Sequence, residues 1–315
     1  MASDGRGCTR CNAPAVALLR YNGNRLCREH FLRSFDRRAK RELAEQGRLP
    51  AGRIAVALSG GKDSVSLLHF LVQLTRDRDD VELVAVSVDE GIEGYRESAL
   101  DICRQVTTEW GVAWHVVRTE DLAGFTIDAF ASGGAGKGAP SAPRPACGPC
   151  GVFRRLGLNQ VARQLGCAAV VTGHNLDDAA QTVLMNHLNG DVERLARLAP
   201  HPRPKPGLIP RLQPFRMVPE KEVLLYALLN DLPVHDEAEC PYAARAHRFR
   251  MRDVLLELEA HTPGTRHSLL RGADRLKPLL LDHFDGERAG ASMSPCTTCG
   301  EPTSGTVCKA CQWKG

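Results

Sequence analysis

The sequence predicts an α/β protein, a doubly wound parallel sheet flanked by two small zinc ribbons, and three observations predict it. Short apolar runs alternate with helical-looking stretches between residues 50 and 285, as parallel βαβ units require. The loops that follow three of those runs carry glycines and acidic residues, and ligands in such sheets bind at the carboxyl ends of strands. Paired cysteines stand at both ends of the chain, CTRC with CREH near the start and CTTC with CKAC near the finish.

Composition narrows the class. The chain has 315 residues and a formal charge of +4, enough length for one large core and a mild charge that does not by itself demand a polyanion. No apolar run is long enough to span a bilayer, and MASDGRGC lacks a signal-peptide core, so a cytoplasmic location and no membrane partner are expected. There the thiols stay reduced, and twelve cysteines are not a disulfide framework. Chance would give on the order of half a CxxC pair. The sequence has four, at Cys8/Cys11, Cys147/Cys150, Cys296/Cys299 and Cys308/Cys311, plus the CxxH of Cys27 and His30.

In chain order, residues 1–35 read as the N-terminal ribbon. Cys8, Cys11, Cys27 and His30 form two knuckles around a YNGN turn, suited to tetrahedral zinc. Little apolar sequence lies between them, so the metal is expected to supply much of the module's folding energy. Residues 36–49, covering most of RSFDRRAKRELAEQGR at 33–48, form a basic helical connector: a solvated face, or a contact for a phosphate backbone.

The 50–285 domain is built around IAVALSGGKDSVSLLHFL at 54–71. Residues 54–58 make a buried strand; Ser59, Gly60, Gly61, Lys62, Asp63 and Ser64 break it; a helix over 65–75 follows. A strand, a glycine-rich turn and a helix start present backbone N–H groups to an anion. The spacing fits neither the Walker loop nor GxGxxG. Further strands are expected at 81–88, 113–117 and 168–171, with helices at 95–110 and 153–165. The second strand leads into Asp89-Glu90-Gly91-Ile92 and the fourth into Gly173-His174-Asn175-Leu176-Asp177-Asp178, so three unusual loops converge on one site. Residues 131–146 form a mobile loop leading into CGPC, while 200–214 and 245–252 are basic stretches. Residues 292–315 form the second ribbon, in which Cys296, Cys299, Cys308 and Cys311 leave no open zinc position, as structural sites do.

Five cysteines remain. Cys103 and Cys167 sit in apolar contexts and read as buried hydrophobes. Cys147 and Cys150 open a helix, whose N-terminus is expected to lower their pKa values. With Cys240 they make three thiols lacking a fourth ligand. That set suits a [4Fe–4S] cluster with one iron open to sulfide, or persulfide carriage between two thiols.

SGGKDS resembles the PP-loop of N-type ATP pyrophosphatases. Nearly end to end, the chain resembles the tRNA 2-thiouridine synthases of the TtuA type and their archaeal and eukaryotic wobble-uridine relatives. The motifs are CxxC…CxxH, SGGKDS, VDEGI with GYR, CxxCGxxRR, TGHNLDD, EKEV, AECPY, GTRHSLL and the terminal CxxC…CxxC. The resemblance implies an ATP-dependent tRNA-uridine 2-sulfurtransferase. Ser59 to Ser64 would hold the ATP phosphates, Asp89, Gly173, His174 and Asp178 would complete the nucleotide loops, and Asp63 and Asp178 are candidates for Mg²⁺. Cys147, Cys150 and Cys240 would hold a [4Fe–4S] cluster, and two Zn²⁺ would be structural. Arg154 stands where some bacterial members carry Lys; an arginine stays protonated, which leaves it charge stabilisation and not general acid catalysis. The resemblance further implies a homodimer and a sulfur donor, which in this family is often a ubiquitin-like thiocarboxylated protein. Three other readings share some of these residues: a lysidine synthase-like ligase, thiolation of a free nucleobase, and a non-enzymatic zinc-ribbon RNA-binding protein.

Overall fold

The computed structural model describes residues 7–133, 143–201, 205–233, 240–242, 247–287 and 293–314. Most of the 131–146 loop, residues 202–204 of the 200–214 stretch, Arg245, and HDEAE before Cys240 lie outside the described residues.

The sheet has five parallel strands: β3 (Gly52–Ala57), β4 (Val81–Asp89), β5 (Ala113–Arg118), β6 (Ala169–Val171) and β7 (Arg211–Leu212). Their order is β5-β4-β3-β6-β7, so the chain reverses its direction of growth between β3 and β6. That crevice is the switch point at which doubly wound sheets bind ligands. Four strands match the expected ones to within two residues. β7 falls in the basic 200–214 stretch, where no strand is expected; it is two residues long and exists by pairing with β6.

Alternate side chains of the central strands feed two layers. Ile54, Val56 and Ala85 pack with α2 (Lys62–Thr75), α3 (Glu97–Glu109) and α9 (Glu220–Leu229). Ala55, Val84, Val86 and Val170 pack against α6 (Cys147–Gln164) on the other face. Burial on both faces explains why these strands are continuous apolar runs. Beyond the carboxyl ends, α7 (Leu176–Leu188), α8 (Val192–Ala196), α10 (His247–His261) and α11 (Thr265–Glu287) pack on one another.

The N-terminal ribbon is a two-stranded hairpin, β1 (Ala17–Leu19) and β2 (Asn24–Leu26), followed at once by α1 (Arg28–Glu45). This helix runs through the 35/36 boundary, so the second knuckle and the basic connector are one element. The apolar support is also larger than the ribbon's own sequence suggests. Cys8, Leu19, Leu26 and Cys27 join Phe31 and Phe35 in the main core, which supplies the material the short hairpin lacks. The C-terminal ribbon, with β8 (Ser294–Pro295), β9 (Pro302–Thr303) and α12 (Lys309–Lys314), packs against α6. Between β5 and α6 lie the short helices α4 (Thr119–Ala123) and α5 (Ile127–Ser132).

Candidate active site

The loop after β3 is folded by its own side chains. Ser64 Oγ accepts from Ser59 N–H at 3.0 Å and donates to the Gly61 carbonyl at 2.9 Å, while Ser59 Oγ lies 3.0 Å from Ser64 Oγ. Gly61 caps α2 without any side-chain bond to the helix, leaving first-turn N–H groups to a ligand. Gly60 has φ +84°, and a Cβ there would sit 2.2 Å from the Ala99 carbonyl oxygen of α3. A Cβ at Gly173 would sit 2.8 Å from the Asp63 carbonyl. The two glycines therefore let α3 and the loop after β6 close on the phosphate loop.

Acidic groups gather beside it. Lys62 Nζ lies 2.7 Å from Glu220 Oε1 and 3.3 Å from Asp63 Oδ2. Burial pushes the Asp63 carboxyl up to about 6, with Asp178 and Glu220 adding to the rise and Lys62 opposing it. Its Oδ1 is buried and has no hydrogen-bond partner among the described residues. A hard divalent cation suits this carboxylate-rich donor set, with the unpartnered oxygen of Asp63 as its first ligand. Asp178 is held by a capping box with Asn175 and by Arg248 at 2.9 Å. Asp177 accepts the Glu220 N–H at 2.8 Å and pairs with Arg266, tying α7, α9 and α11 together. His174 Nδ1 is 2.9 Å from Thr172 Oγ1. The protein around His174, and then the charges of Arg248, Arg211 and Arg155, hold its pKa below the usual value against Asp178.

The second loop links this region to the thiols. Asp89 Oδ1 accepts from Gly91 N–H at 2.9 Å, fixing the turn and pointing the buried Glu90 inward. Glu90 pairs with Arg96, 3.1 Å away, and with Arg154. Arg96 in turn donates to the carbonyls of Ser59 and Val88, both at 2.8 Å. One carboxylate thus joins the phosphate loop to Arg154, whose charge acts on both Cys147 and Cys150.

Cys147 and Cys150 lie inside the first turn of α6, which starts six residues earlier than the expected 153. Cys147 Sγ is 3.7 Å from the Tyr242 carbonyl, so residues 240–242 return to α6 from 95 positions away. Cys150, Cys240 and Tyr242 pack on Phe125, Phe130 and Phe153 together with three ligands of the C-terminal ribbon. The expected lowering of the thiol pKa values is not found. Burial raises Cys147, helped by Cys240, and pushes Cys150 up to about 11 against the pull of Arg154, with Glu90, Cys240 and Cys147 adding. Desolvation, and the cost of forming one thiolate close to another, outweigh the helix end at Cys147 and Cys150. Among the described residues Cys147, Cys150 and Cys240 do not bring their sulfurs within 4.8 Å of one another as the two terminal sets do, so they do not form a single-ion zinc site; three thiolates around a larger [4Fe–4S] cluster would suit their chemistry.

The terminal sets differ from this. Cys8, Cys11, Cys27 and His30 hold their ligand atoms within 4.8 Å of one another, as do Cys296, Cys299, Cys308 and Cys311. Cys11 and Cys27 sulfurs are 3.8 Å apart, and Cys299 and Cys308 sulfurs 3.6 Å. A tetrahedron with metal–sulfur bonds of about 2.3 Å has edges of about 3.8 Å. Both sets could therefore hold a zinc ion without rearrangement.

Comparison with known proteins gives the family. Residues 32–259 match the PP-loop domain family, and residues 8–32 match the N-terminal LIM domain of 2-thiouridine synthetase TtuA. The tRNA 2-thiolation protein NcsA of Haloferax volcanii is 38% identical over 97% of each chain. Cytoplasmic tRNA 2-thiolation protein 1 of Bos taurus is 40% identical over 96% of this chain and 86% of its own. This chain belongs to the PP-loop family of tRNA 2-thiolation proteins. Among solved structures, the U34-tRNA thiolase NcsA from Methanococcus maripaludis with its [4Fe–4S] cluster superposes with a TM-score of 0.83 at 32% identity, over 98% of this chain and 96% of that one.

Several residues at the site have no role that their local sequence assigns. Glu90, Arg96 and Glu220 lie in the motifs VDEGI, GYR and EKEV, yet nothing local says that they pair across the fold. Arg155 ends the CxxCGxxRR motif without a role assigned there, and Arg211 and Arg248 have no signal beyond general basicity. Arg211 is pushed down to about 10 by burial and by Arg155, the mark of cations crowded where an anion would relieve them.

Proposed function

We propose that the chain catalyses ATP-dependent 2-thiolation of tRNA, adenylating a uridine carbonyl oxygen and replacing it with sulfur. The observation that carries this reading is the link from the phosphate loop through Arg96, Glu90 and Arg154 to the thiols of α6. ATP lies with its phosphates on the N–H groups of the 59–64 loop, and Lys62 leaves Glu220 to meet them. Mg²⁺ on Asp63 and Asp178 would offset phosphate charge. The uracil oxygen attacks the α-phosphorus and pyrophosphate leaves; sulfur then adds at the same carbon and AMP departs with the original oxygen. When bound, a [4Fe–4S] cluster held by Cys147, Cys150 and Cys240 supplies an iron open to exogenous sulfide. Arg154 would balance the negative charge that develops as AMP leaves, and the crowded pair Arg155 and Arg211 would add positive charge.

Likeness to the U34-tRNA thiolase supports the wobble uridine as the target. Both terminal sets would hold structural zinc. The C-terminal ribbon would also brace the thiol site, through Arg163 and Gln160 of α6, which bind Glu301 at 2.5 and 3.0 Å. No helix among the described residues is long and apolar enough to cross a membrane, and action in the cytoplasm, a homodimeric state and a thiocarboxylated sulfur donor belong to the same proposal.

The test is anaerobic incubation with ATP, sulfide and tRNA. Equal amounts of AMP, pyrophosphate and 2-thiouridine are expected, and none with a tRNA carrying cytidine at the target position. Lysine incorporation, thiolation of the free base alone, or tRNA binding without pyrophosphate release would each replace this reading with one of its rivals.

A further inference from the structure

The third thiol, Cys240, reaches α6 from far along the chain, and its neighbours show what holds it there. Among the described residues two hydrogen bonds tie residues 240–242 to the rest of the site. One runs from Cys147 Sγ to the Tyr242 carbonyl at 3.7 Å. A thiol is a weak donor, and a cysteine that ligates a metal is a thiolate with no proton to give. That contact is therefore lost once Cys147 serves as a ligand. The other is independent of the thiols: the Tyr242 hydroxyl donates to Asp128 Oδ1 at 2.6 Å.

Asp128 is itself fixed. It lies in the first turn of α5, and its second oxygen, Oδ2, accepts the Glu93 N–H at 2.8 Å. The same turn meets the loop after β4 at two further points. Ile127 N–H donates to the Glu90 carbonyl at 2.9 Å. Thr126, whose Oγ1 accepts the Ala129 N–H and caps α5, lies so close to Gly91 that a Cβ there would sit 2.6 Å from Thr126 Cγ2. Tyr242 is thus anchored to the loop that carries Glu90, the partner of Arg96 and Arg154. Pro241 stands between Tyr242 and Cys240. Its ring fixes its own φ and restricts the residue before it, so an anchor at 242 carries over to 240. Cys240 and Tyr242 otherwise pack, only partly buried, on the cluster of Phe125, Phe130 and Phe153. Apolar packing has no direction, whereas a hydrogen bond to a carboxylate has both direction and strength.

We propose that Tyr242 and Asp128 are positioning residues for the third thiol, their hydrogen bond holding Cys240 against α6 and in register with the loop that carries Glu90. The inference rests on the three-cysteine site of the proposed function and adds the pair that keeps its ligand set complete.

The test compares the full chain as wild type, Tyr242→Phe, Asp128→Ala and the double variant. Tyr242→Phe removes one hydroxyl and keeps the ring in its packing. In the anaerobic holoprotein, iron release to a chelator should be roughly ten- to a hundredfold faster in each single variant, the worth of a hydrogen bond to a charged group. The double variant should release iron no faster than Asp128→Ala, because the two changes remove one shared bond. In the iron-free chain, alkylation of Cys240, resolved site by site by mass spectrometry, should rise severalfold in all three variants. Cys103 and Cys167, both buried in the layers flanking the sheet, should stay unreactive. A Tyr242→Phe variant that releases iron at the wild-type rate, or whose Cys240 alkylates no faster, overturns the proposal. Additive effects in the double variant, or equal gains at Cys103 and Cys167, overturn it as well. A wild type that binds no iron would instead defeat the cluster in the proposed function, and Cys240 alkylation would then decide the role of Tyr242 and Asp128 alone.

Discussion

Replacing Gly60 by Ala tests whether the phosphate loop is held in place by the close approach of α3. Two costs combine at this position. Its φ of +84° is left-handed, and the new Cβ would lie 2.2 Å from the Ala99 carbonyl oxygen and 2.8 Å from its carbon. Those are backbone atoms and cannot rotate away, so the loop and α3 must part by about 1 Å to reach ordinary contact, a displacement that costs about a hundredfold in rate at a reacting centre. The left-handed backbone adds about 1–2 kcal/mol and the overpacking about 1–3 kcal/mol. Gly111 supplies the control: its φ is +64° with nothing within 4 Å of an added Cβ, so Gly111→Ala should show the backbone cost alone. Thermal melting and ATP-to-AMP conversion with tRNA read out both effects. Gly60→Ala should lose roughly twice the stability of Gly111→Ala and about two orders of magnitude in AMP formation. If the two variants melt alike and cleave ATP alike, the clash with α3 does not shape the site.

Arg154→Ala should keep its fold, since the side chain is half exposed, and should lower 2-thiouridine formation about a hundredfold or more. Arg154→Lys should retain much of the wild-type rate because the charge remains, which product analysis checks. His201 and His267 are both pushed down to about 4 by burial, with Lys277 and Arg271 respectively adding. Unfolded histidines titrate near 6.5, so their neutral forms stabilise the fold fully above that pH, and the contribution is lost as pH falls toward 4. Urea denaturation should show stability dropping over that window, by up to about 3 kcal/mol for His267, and His267→Gln should flatten the drop. Metal stripping of the N-terminal ribbon should lower one cooperative melting transition, because Cys8 and Cys27 share the core with Phe31 and Phe35. Two separate transitions would instead mark an independent module.

What the sequence shows and what it hides follow from range. The strand–loop–helix of β3, the 59–64 loop and α2 is a local pattern, and every part of it can be read from neighbouring residues. Asn175 and Asp178, read from the sequence only as part of a ligand loop, prove also to start α7 by a capping box. β7 is hidden because two residues in a proline-rich basic stretch have no strand pattern of their own. α11 is obscured by Gly272 and Pro278 inside a 23-residue helix, both disfavoured in helix interiors. At the site, Lys62 meets Glu220 from 158 positions away and Glu90 meets Arg154 from 64. Motifs reveal the residues, and only the fold reveals the pairs. The thiol pKa values go against expectation for the same reason: the helix start is local, while the burial that outweighs it comes from the C-terminal ribbon and residues 240–242.

The most direct measurement is iron content alongside thiolation, for wild type and the single variants Cys147→Ala, Cys150→Ala and Cys240→Ala, purified anaerobically. Wild type should carry about four irons per chain and form 2-thiouridine. Each variant should lose both while still binding ATP, because the phosphate loop does not depend on the thiols. A variant that lacks iron yet thiolates tRNA at the wild-type rate would contradict the account.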